Sequence, residues 1–501
     1  MTKSILKLSL VFAVLAAGTI FNGCDKSKLD LLPHGPTEQS YFSSESEFNK
    51  AVLGVYSKLT DFFWYNGGPG NTSVTVFLLP GDDLTTNQGG EEFEIFSMQP
   101  SSGRLGYLYS RHYQMINRAN LVNQKIDEEQ GDVYTTSGLK NSHKGEVLFL
   151  RGYAYYNLWN LFGTSPLVTG RQATPDQFLP PGTTGTQLLD QAIADLTEAA
   201  NLLPATWDAA NKGRVTSASA NGMLGKALVF RASAAKTPAD YTAAITAFNK
   251  ITGATLIPNF SENFSYLTEN NAESLFEFQS GQAFGGDNVW LDNDFDNAIG
   301  SLSFYWGFYS NNGTGQQGQS RFFGTTKLLN AFNASDPRRD STLNPANRTI
   351  RKYVSIDKLN QSGVSSINNY RILRFADVLL LKAEAVLQSG GSTLDAIGFI
   401  NQVRTRARGA GAEPANFSTA ETNRGTIMQW IMDERLRELA GEGQRWFDLR
   451  RWQMQGIISL NNAFFSSNLS TVSFQLPRHL NFPIPSSETD VNPNVPQNPG
   501  Y

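Results

Sequence analysis

Cys24 is the only cysteine among the 501 residues. No disulfide can brace this chain from within, so a body of this size must be held by packing alone. Its 40% hydrophobic content is enough for a full core. The length suits one large domain or two intimately packed ones. The cysteine also follows a start built like an export signal. Lys3 and Lys7 are positive, residues 8–17 are almost wholly apolar, and Phe21-Asn22-Gly23 leads into Cys24. That apolar run is too short to span a bilayer. A lone cysteine at this place reads as a lipid attachment point, although bacterial lipoboxes usually carry Leu where Phe21 stands. The expected processing removes residues 1–23 and leaves Cys24 acylated and tied to a membrane. An ordinary cleaved signal with an incidental cysteine is the weaker reading.

Composition then limits the partners. The formal charge is −4, and residues 1–23 hold two lysines and no acid, so the mature chain is near −6. Phosphate binding needs a clustered cationic surface, and nothing here supplies one, so no nucleic acid is expected. The four histidines, His34, His112, His143 and His479, form no His-Glu-x-x-His or cysteine–histidine pattern. No metal and no cofactor are expected. No Gly-x-Ser-x-Gly elbow and no Walker loop occur. Gly313-Thr314-Gly315-Gln316-Gln317-Gly318 fits a dinucleotide fingerprint, but polar Ser310-Asn311-Asn312 precedes it where a strand is required. It reads as a loop.

Hydrophobic period predicts a mainly α-helical chain. Helices are expected from about 46 to 59, 104 to 127, 143 to 162, 186 to 203, 217 to 235, 239 to 251, 371 to 389, 393 to 408, 420 to 439 and 444 to 455. Ser392 with Asp395, and Ser418 with Glu421, read as N-terminal caps. Residues 61–103 read as loops with short strands, and 252–370 as a long irregular insert. The tail from Asn492 to Tyr501 holds too many prolines for a helix. Four helix pairs can be drawn: 104–127 with 143–162, 186–203 with 217–235, 371–389 with 393–408, and 420–439 with 444–455. Units of this length are similar to tetratricopeptide repeats, although the consensus residues of those repeats are not evident.

Charge-dense Asp433-Glu434-Arg435-Leu436-Arg437-Glu438 could pass for an active site. Pairs at i,i+3 and i,i+4 (Glu434 or Asp433 with Arg437), and Arg445 with Asp448 beyond, read better as an ion-pair seam joining the last two helices. Paired acids, Asp82-Asp83, Glu91-Glu92 and Asp292/Asp294/Asp296, leave glycosidase-like acid–base work open.

Several blocks resemble one family. Tyr113-Gln114-Met115-Ile116-Asn117-Arg118-Ala119-Asn120 is followed by Arg151-Gly152-Tyr153-Ala154-Tyr155-Tyr156-Asn157-Leu158 and Pro166-Leu167-Val168. Arg374-Phe375-Ala376-Asp377 and Glu434-Arg435-Leu436-Arg437-Glu438 come next, then Arg445-Trp446-Phe447-Asp448-Leu449-Arg450-Arg451-Trp452. Phe482-Pro483-Ile484-Pro485 and Asn498-Pro499-Gly500-Tyr501 close the order. Together they resemble the SusD/RagB family of Bacteroidetes outer-membrane lipoproteins. The resemblance implies four tetratricopeptide-like helix pairs as a scaffold with a loop-rich second part and few short strands. It divides the chain into a signal at 1–23, a SusD-like helical region at 24–251, and a RagB/SusD region at 252–501 that contains the insert at 252–370. It also implies a non-catalytic surface lipoprotein. Such a protein is held in the outer membrane by its lipid, faces the exterior, captures a glycan, and delivers it to a SusC-like TonB-dependent transporter. The alternatives are a peptide-binding RagB-like subunit and a surface glycoside hydrolase.

The family blocks carry no ligand motif, so the binding face is placed by chemistry. A sugar ring needs a flat aromatic for its C–H face and Asn, Asp or Arg for its hydroxyl rim. Trp64 and Tyr65 with Asp82, Asp83 and Asn87 satisfy this in the first loop region. Trp290 with Asp292 and Asn293, and Tyr305 with Trp306, satisfy it in the long insert. Trp159, Trp446 and Trp452 lie at apolar helical spacing and read as core; Trp207 and Trp430 fit either role.

Overall fold

In this computed structural model the structure describes residues 41–63, 74–86, 90–280, 322–353, 368–466 and 471–501. The chain divides into a short unit of residues 1–47 and a large one of residues 48–501. Of the first, the described part is 41–47, where the Ser43 backbone N–H and hydroxyl both donate to Glu47 at 2.9 Å and set the start of helix α1, Glu45–Tyr56.

The second unit is built on a succession of helices. They are α2 (Gly103–Glu128), α3 (Leu139–Leu161), α4 (Gln187–Leu202), α5 (Ser217–Ala235), α6 (Pro238–Asn249), α7 (Phe375–Gln388), α8 (Thr393–Arg408), α9 (Arg424–Leu439) and α10 (Arg445–Gln455). Each packs on the next from α2 to α8, and α9 closes the row against α7 and α8. This is the architecture of a repeat stack, in which each helix buries its apolar face only through its neighbours. The chain is mainly helical, as the period predicted.

Helix α3 shows how composition sets depth. Its apolar residues are not confined to one face, and it lies sandwiched between α2 and α4 with most of its residues buried, polar Glu146, Arg151 and Asn157 among them. Gly152 makes that possible: a Cβ there would stand 3.0 Å from Leu196 Cγ and 3.2 Å from the Ala192 carbonyl oxygen. Trp159, Trp446 and Trp452 are buried, as their spacing required.

The signature residues are clamps. Tyr113 Oη donates to Pro166 O at 2.6 Å, and Asn120 Nδ2 to Val168 O at 2.8 Å. Arg151 pairs with Asp195 at 2.6 Å while donating to Asn120 Oδ1 and Thr169 O, and Tyr155 Oη donates to Val168 O. Together they hold the segment after α3 against the middle of α2 and α3. The proline-rich tail is irregular, and Asn498 Nδ2 straps it down by donating to Phe162 O and Phe482 O at 2.7 Å each.

Three expectations are corrected. Residues 371–374 were expected to begin a helix; Tyr370–Arg374 is instead strand β4, antiparallel to β2 (Ser274–Phe278). Its five residues are all buried, a pattern that a helix and a two-faced strand share, and its partner lies about a hundred residues away in sequence. Ser418 does not open a helix. Asn401 exchanges two hydrogen bonds with the Phe417 backbone and keeps that segment extended, and Asn423 caps α9 by accepting from Thr426 N. The fourth helix pair is not drawn as expected either: α10 packs chiefly on α5, and α9 on α7 and α8.

The acidic–basic run is structural, as read, but its partners come from farther away. Asp448 takes Arg435 at 2.7 Å and Arg451 at 2.8 Å, while Arg445 pairs with Asp82. Glu438, fully buried, accepts from Arg338, Arg374 and Arg406. Glu434 accepts from Arg338 at 2.6 Å, Arg404 at 2.7 Å and Arg437 at 3.0 Å. Glu442 takes Arg374 and Lys352, and Glu273 takes Arg374 and Arg406. A second cluster, Lys226–Asp377–Arg435–Asp448–Arg451–Glu384, ties α5, α7, α9 and α10.

Burial alone would raise the Glu434 carboxyl, but Arg338, Arg437 and Arg404 bring it down to about 2, and the guanidinium groups around Glu438 hold it lower still. The stability these acids contribute is therefore complete above their ordinary value of 4.5 and is lost as pH falls toward 2. Glu438→Gln leaves buried cations uncompensated and is expected to cost about 3–5 kcal/mol by urea unfolding at neutral pH. Lys144→Ala, at the surface pair with Asp127, is expected to cost under about 1 kcal/mol.

Candidate functional site

Two small sheets carry the chain stubs beside the aromatic segments. β1 (Leu84–Thr86) pairs antiparallel with β3 (Phe322–Gly324), Thr86 opposite Phe322. The segment that begins 87–89 and the segment that ends at 321 therefore meet the body at neighbouring positions. On the second sheet Phe278 stands opposite Tyr370. The Phe63 ring lies 4.5 Å from Tyr370 and 5.5 Å from Phe278, and Tyr353 stacks on Tyr370 at 5.2 Å. Ile350 N–H donates to Phe322 O of the first sheet at 3.4 Å, and three residues later the chain reaches Tyr353, whose ring lies against the second. The stubs at 63, 86, 280, 322, 353 and 368 thus converge on one region, although they are scattered over about 300 positions of sequence.

Asn368 and Asn369 fix that region. Asn368 Nδ2 donates to Phe264 O at 2.7 Å and Tyr353 O at 3.0 Å. Asn369 Oδ1 accepts from Ser280 N at 2.7 Å, and its Nδ2 donates to Glu277 Oε2 at 2.8 Å. Arg371 in turn donates to Asn368 Oδ1. The sequence reading passed over these two asparagines. Their one local signal is a polar pair directly before the apolar Tyr370-Arg371-Ile372-Leu373 run.

Of the residues expected to bind ligand, Trp64, Tyr65, Asn87, Trp290, Asp292, Asn293, Tyr305 and Trp306 lie outside the described residues, as does Cys24. Asp82 and Asp83 are described and are 0% and 3% exposed. Asp82 is bound by Arg445 at 2.5 and 3.1 Å and by Lys327. Asp83 Oδ2 accepts from Gly441 N at 3.1 Å, and the backbone of 82–83 accepts from Thr325. These contacts tie the first loop region to the start of α10 and to the residues after β3. They give both carboxylates an anchoring position beneath the converging stubs, away from solvent.

The two acids are driven apart electrostatically. Burial opposes ionisation of Asp82, but Arg445 and Lys327 pull it down to about 2. Burial, then the charge of Asp82, pushes Asp83 up to about 6. Such a split is the mark of an acid–base pair in a glycosidase, yet neither carboxyl has a surface for a substrate to reach. Glu91 and Glu92 are likewise taken, both by Arg104, at 2.7 and 3.0 Å. Among the described residues no group of three His, Cys, Asp or Glu is arranged to hold a metal ion. No helix among them is long and apolar enough to cross a membrane. Trp207 and Trp430 are both partly exposed.

Comparison with known proteins matches the same chain twice to related family models. The model of the SusD family covers residues 256–501, and that described as starch-binding, associating with the outer membrane, covers residues 36–228. SusD-like protein P2 of Formosa agariphila is 26% identical over 99% of this chain and 100% of its own length. The starch-binding protein SusD of Bacteroides thetaiotaomicron is 25% identical over the full length of both. A solved laminarin-binding SusD-like protein superposes with a TM-score of 0.73 at 23% identity, over 92% of this chain and 100% of that one.

The raised value of Asp83 means that the folded protein holds an extra proton between about pH 4 and 6, so Asp83 detracts from stability as pH rises through that window. Asp83→Asn keeps an acceptor for Gly441 N. It is expected to raise stability by on the order of 2 kcal/mol near pH 7.5 and by little near pH 4.5, as read from Tm at the two pH values.

Proposed function

The chain belongs to the SusD/RagB family, and on that premise we propose that it is a non-catalytic, surface-exposed lipoprotein that binds a glycan and passes it to a SusC-like TonB-dependent transporter. Acylation at Cys24 would hold it to the outer membrane, in keeping with the family description of proteins that associate with that membrane. Relatives named for starch and for laminarin point to a polysaccharide as the ligand class.

The observation that carries this reading is the convergence of the stubs at Phe63, Thr86, Ser280 and Phe322. Segments attached at one place bear Trp64, Tyr65, Asn87, Trp290, Asp292, Asn293, Tyr305 and Trp306, the side chains that sugar chemistry selects. We assign those eight to the ligand and give Asp82 and Asp83 the task of anchoring the base. An aromatic platform that removes ~60 Å² of sugar surface from water gains about 1.5 kcal/mol. Association costs offset much of this, so two or three platforms give binding on the order of 10 µM to 1 mM. Capture of that strength suits a receptor whose ligand must leave again.

Affinity electrophoresis against starch, laminarin, xyloglucan and host glycans, beside a peptide panel, tests the reading. Retardation by at least one glycan, without release of reducing ends, is expected. Trp290→Ala and Trp306→Ala are each expected to weaken it about tenfold. Retention by peptide alone would favour the RagB-like alternative, and release of product would make the protein an enzyme.

A further inference from the structure

A cavity of about 280 Å³ lies between the turn joining α4 to α5 and the approach to β2. It is bordered by Trp207, Lys212 and Arg214 on one side and by Asn270, Asn271 and Ser274 on the other. Every one of these residues is described, and the cavity meets the region of the converging stubs through Glu277 and Gln279, which both accept from Asn369 Nδ2.

The walls are rigid. The Trp207 indole Nε1 donates to Val215 O at 2.8 Å, and the Arg214 guanidinium lies 4.6 Å from its ring centroid. Arg214 is itself fixed by two 2.6 Å hydrogen bonds to Glu146 and by a third to Asn49. Gly213 has φ +96°, and a Cβ there would meet the Gln279 amide at 2.6 Å. Only glycine brings the turn this close to the end of β2. Across the cavity Asn270, itself at φ +51°, exchanges two amide hydrogen bonds with Gln279 at 2.8 and 2.9 Å. Asn271 is held through Glu273 N and Thr268 O.

The chemistry of the rim is that of a neutral polyhydroxyl ligand. The Arg214 charge is cancelled by Glu146, and Lys212 stands within electrostatic reach of Glu269. The Arg214 guanidinium is therefore not free to hold an anion. The hydroxyls of Thr206 and Ser274 and the ammonium of Lys212 have no hydrogen-bond or ion-pair partner among the described residues. A partly exposed indole beside two amides, two hydroxyls and one ammonium provides an aromatic surface for C–H groups and a set of donors and acceptors for hydroxyls. The volume is near the lower end of that of small-molecule pockets, roughly 300 Å³, which suits one or two sugar rings.

We propose that this cavity is a second saccharide site, separate from the face at the converging stubs, that holds a short stretch of neutral glycan against Trp207 and Lys212. It rests on the glycan-binding reading for its ligand class, but its position does not. Two sites on one receptor raise the effective concentration of a long polymer at the second once the first is filled. A chain that bridges them would be retained more strongly than a short oligosaccharide.

Hydrogen exchange, with millimolar maltohexaose, laminarihexaose or a xyloglucan oligosaccharide as probe, tests the proposal. For at least one probe, exchange is expected to slow in residues 205–216 and 269–279, in the native sequence and equally in the Trp290→Ala/Trp306→Ala protein. Trp207→Ala is expected to abolish that protection and Lys212→Ala to weaken probe affinity there about tenfold. Trp207→Phe, which keeps a ring in the turn, is expected to retain partial protection and serves as the check that the turn still folds. If a probe binds and protects other segments while these two are unchanged, the second site is refuted and the glycan-binding reading survives. If no probe alters exchange anywhere, both fall.

Discussion

Buried charge, paired across helices, is the constraint on which the rest of this structure depends. Glu273, Glu434, Glu438 and Glu442 stand in the interior with Arg338, Lys352, Arg374, Arg404 and Arg406. Desolvating such groups is expensive, and each is tolerable only because opposite charge lies directly against it. An interior of this kind has few alternative arrangements. Moving one helix by a turn would strand a guanidinium or a carboxylate without a partner, at a cost far above that of slipping one methyl group past another. Such pairing does not by itself make the protein more stable than an apolar core would. It makes one arrangement of α7, α8, α9, β2 and β4 strongly preferred over its neighbours.

That preference reaches the candidate ligand face. Arg374 ends β4 and is held by Glu273, Glu438 and Glu442, so the strand facing Phe278 and Phe63 is fixed at its far end by the network. Arg445, at the start of α10, reaches Asp82 and pins the first loop region, while Gly441 donates to Asp83. The signature residues of the family therefore serve geometry. They are the groups that make a helical stack present its loop stubs at one place.

Periodicity was a sound guide wherever a segment's neighbours are its sequence neighbours. Ser217–Ala235 begins and ends where the pattern placed it, Ser392 caps α8 by accepting from Asp395 N, and the three helical tryptophans are core. The pattern misled at Tyr370–Arg374, whose strand exists because of Ser274–Phe278 far upstream. It misled again at Asn423, where Asn401 overrides the local cap at Ser418. The ion-pair seam was legible as a seam, but Arg445 was given to Asp448 when its partner is Asp82, more than 360 positions away. At the candidate site, aromatic and polar composition selected residue types that suit a sugar. It could not tell Asp82 and Asp83, which are buried anchors, from a solvent-facing rim.

The sequence by itself determined the helical class, the order of the long helices, the family, and the expectation of a single lipid-bearing cysteine. All of these are written in local period, short motifs and composition. Only the tertiary structure decided which charges meet, which stubs share a surface, and that Trp207 borders a cavity with the approach to β2. The reason is physical. A helix is specified by hydrogen bonds four residues apart, whereas an ion pair, a sheet or a pocket is specified by groups whose separation along the chain carries no information about their separation in space.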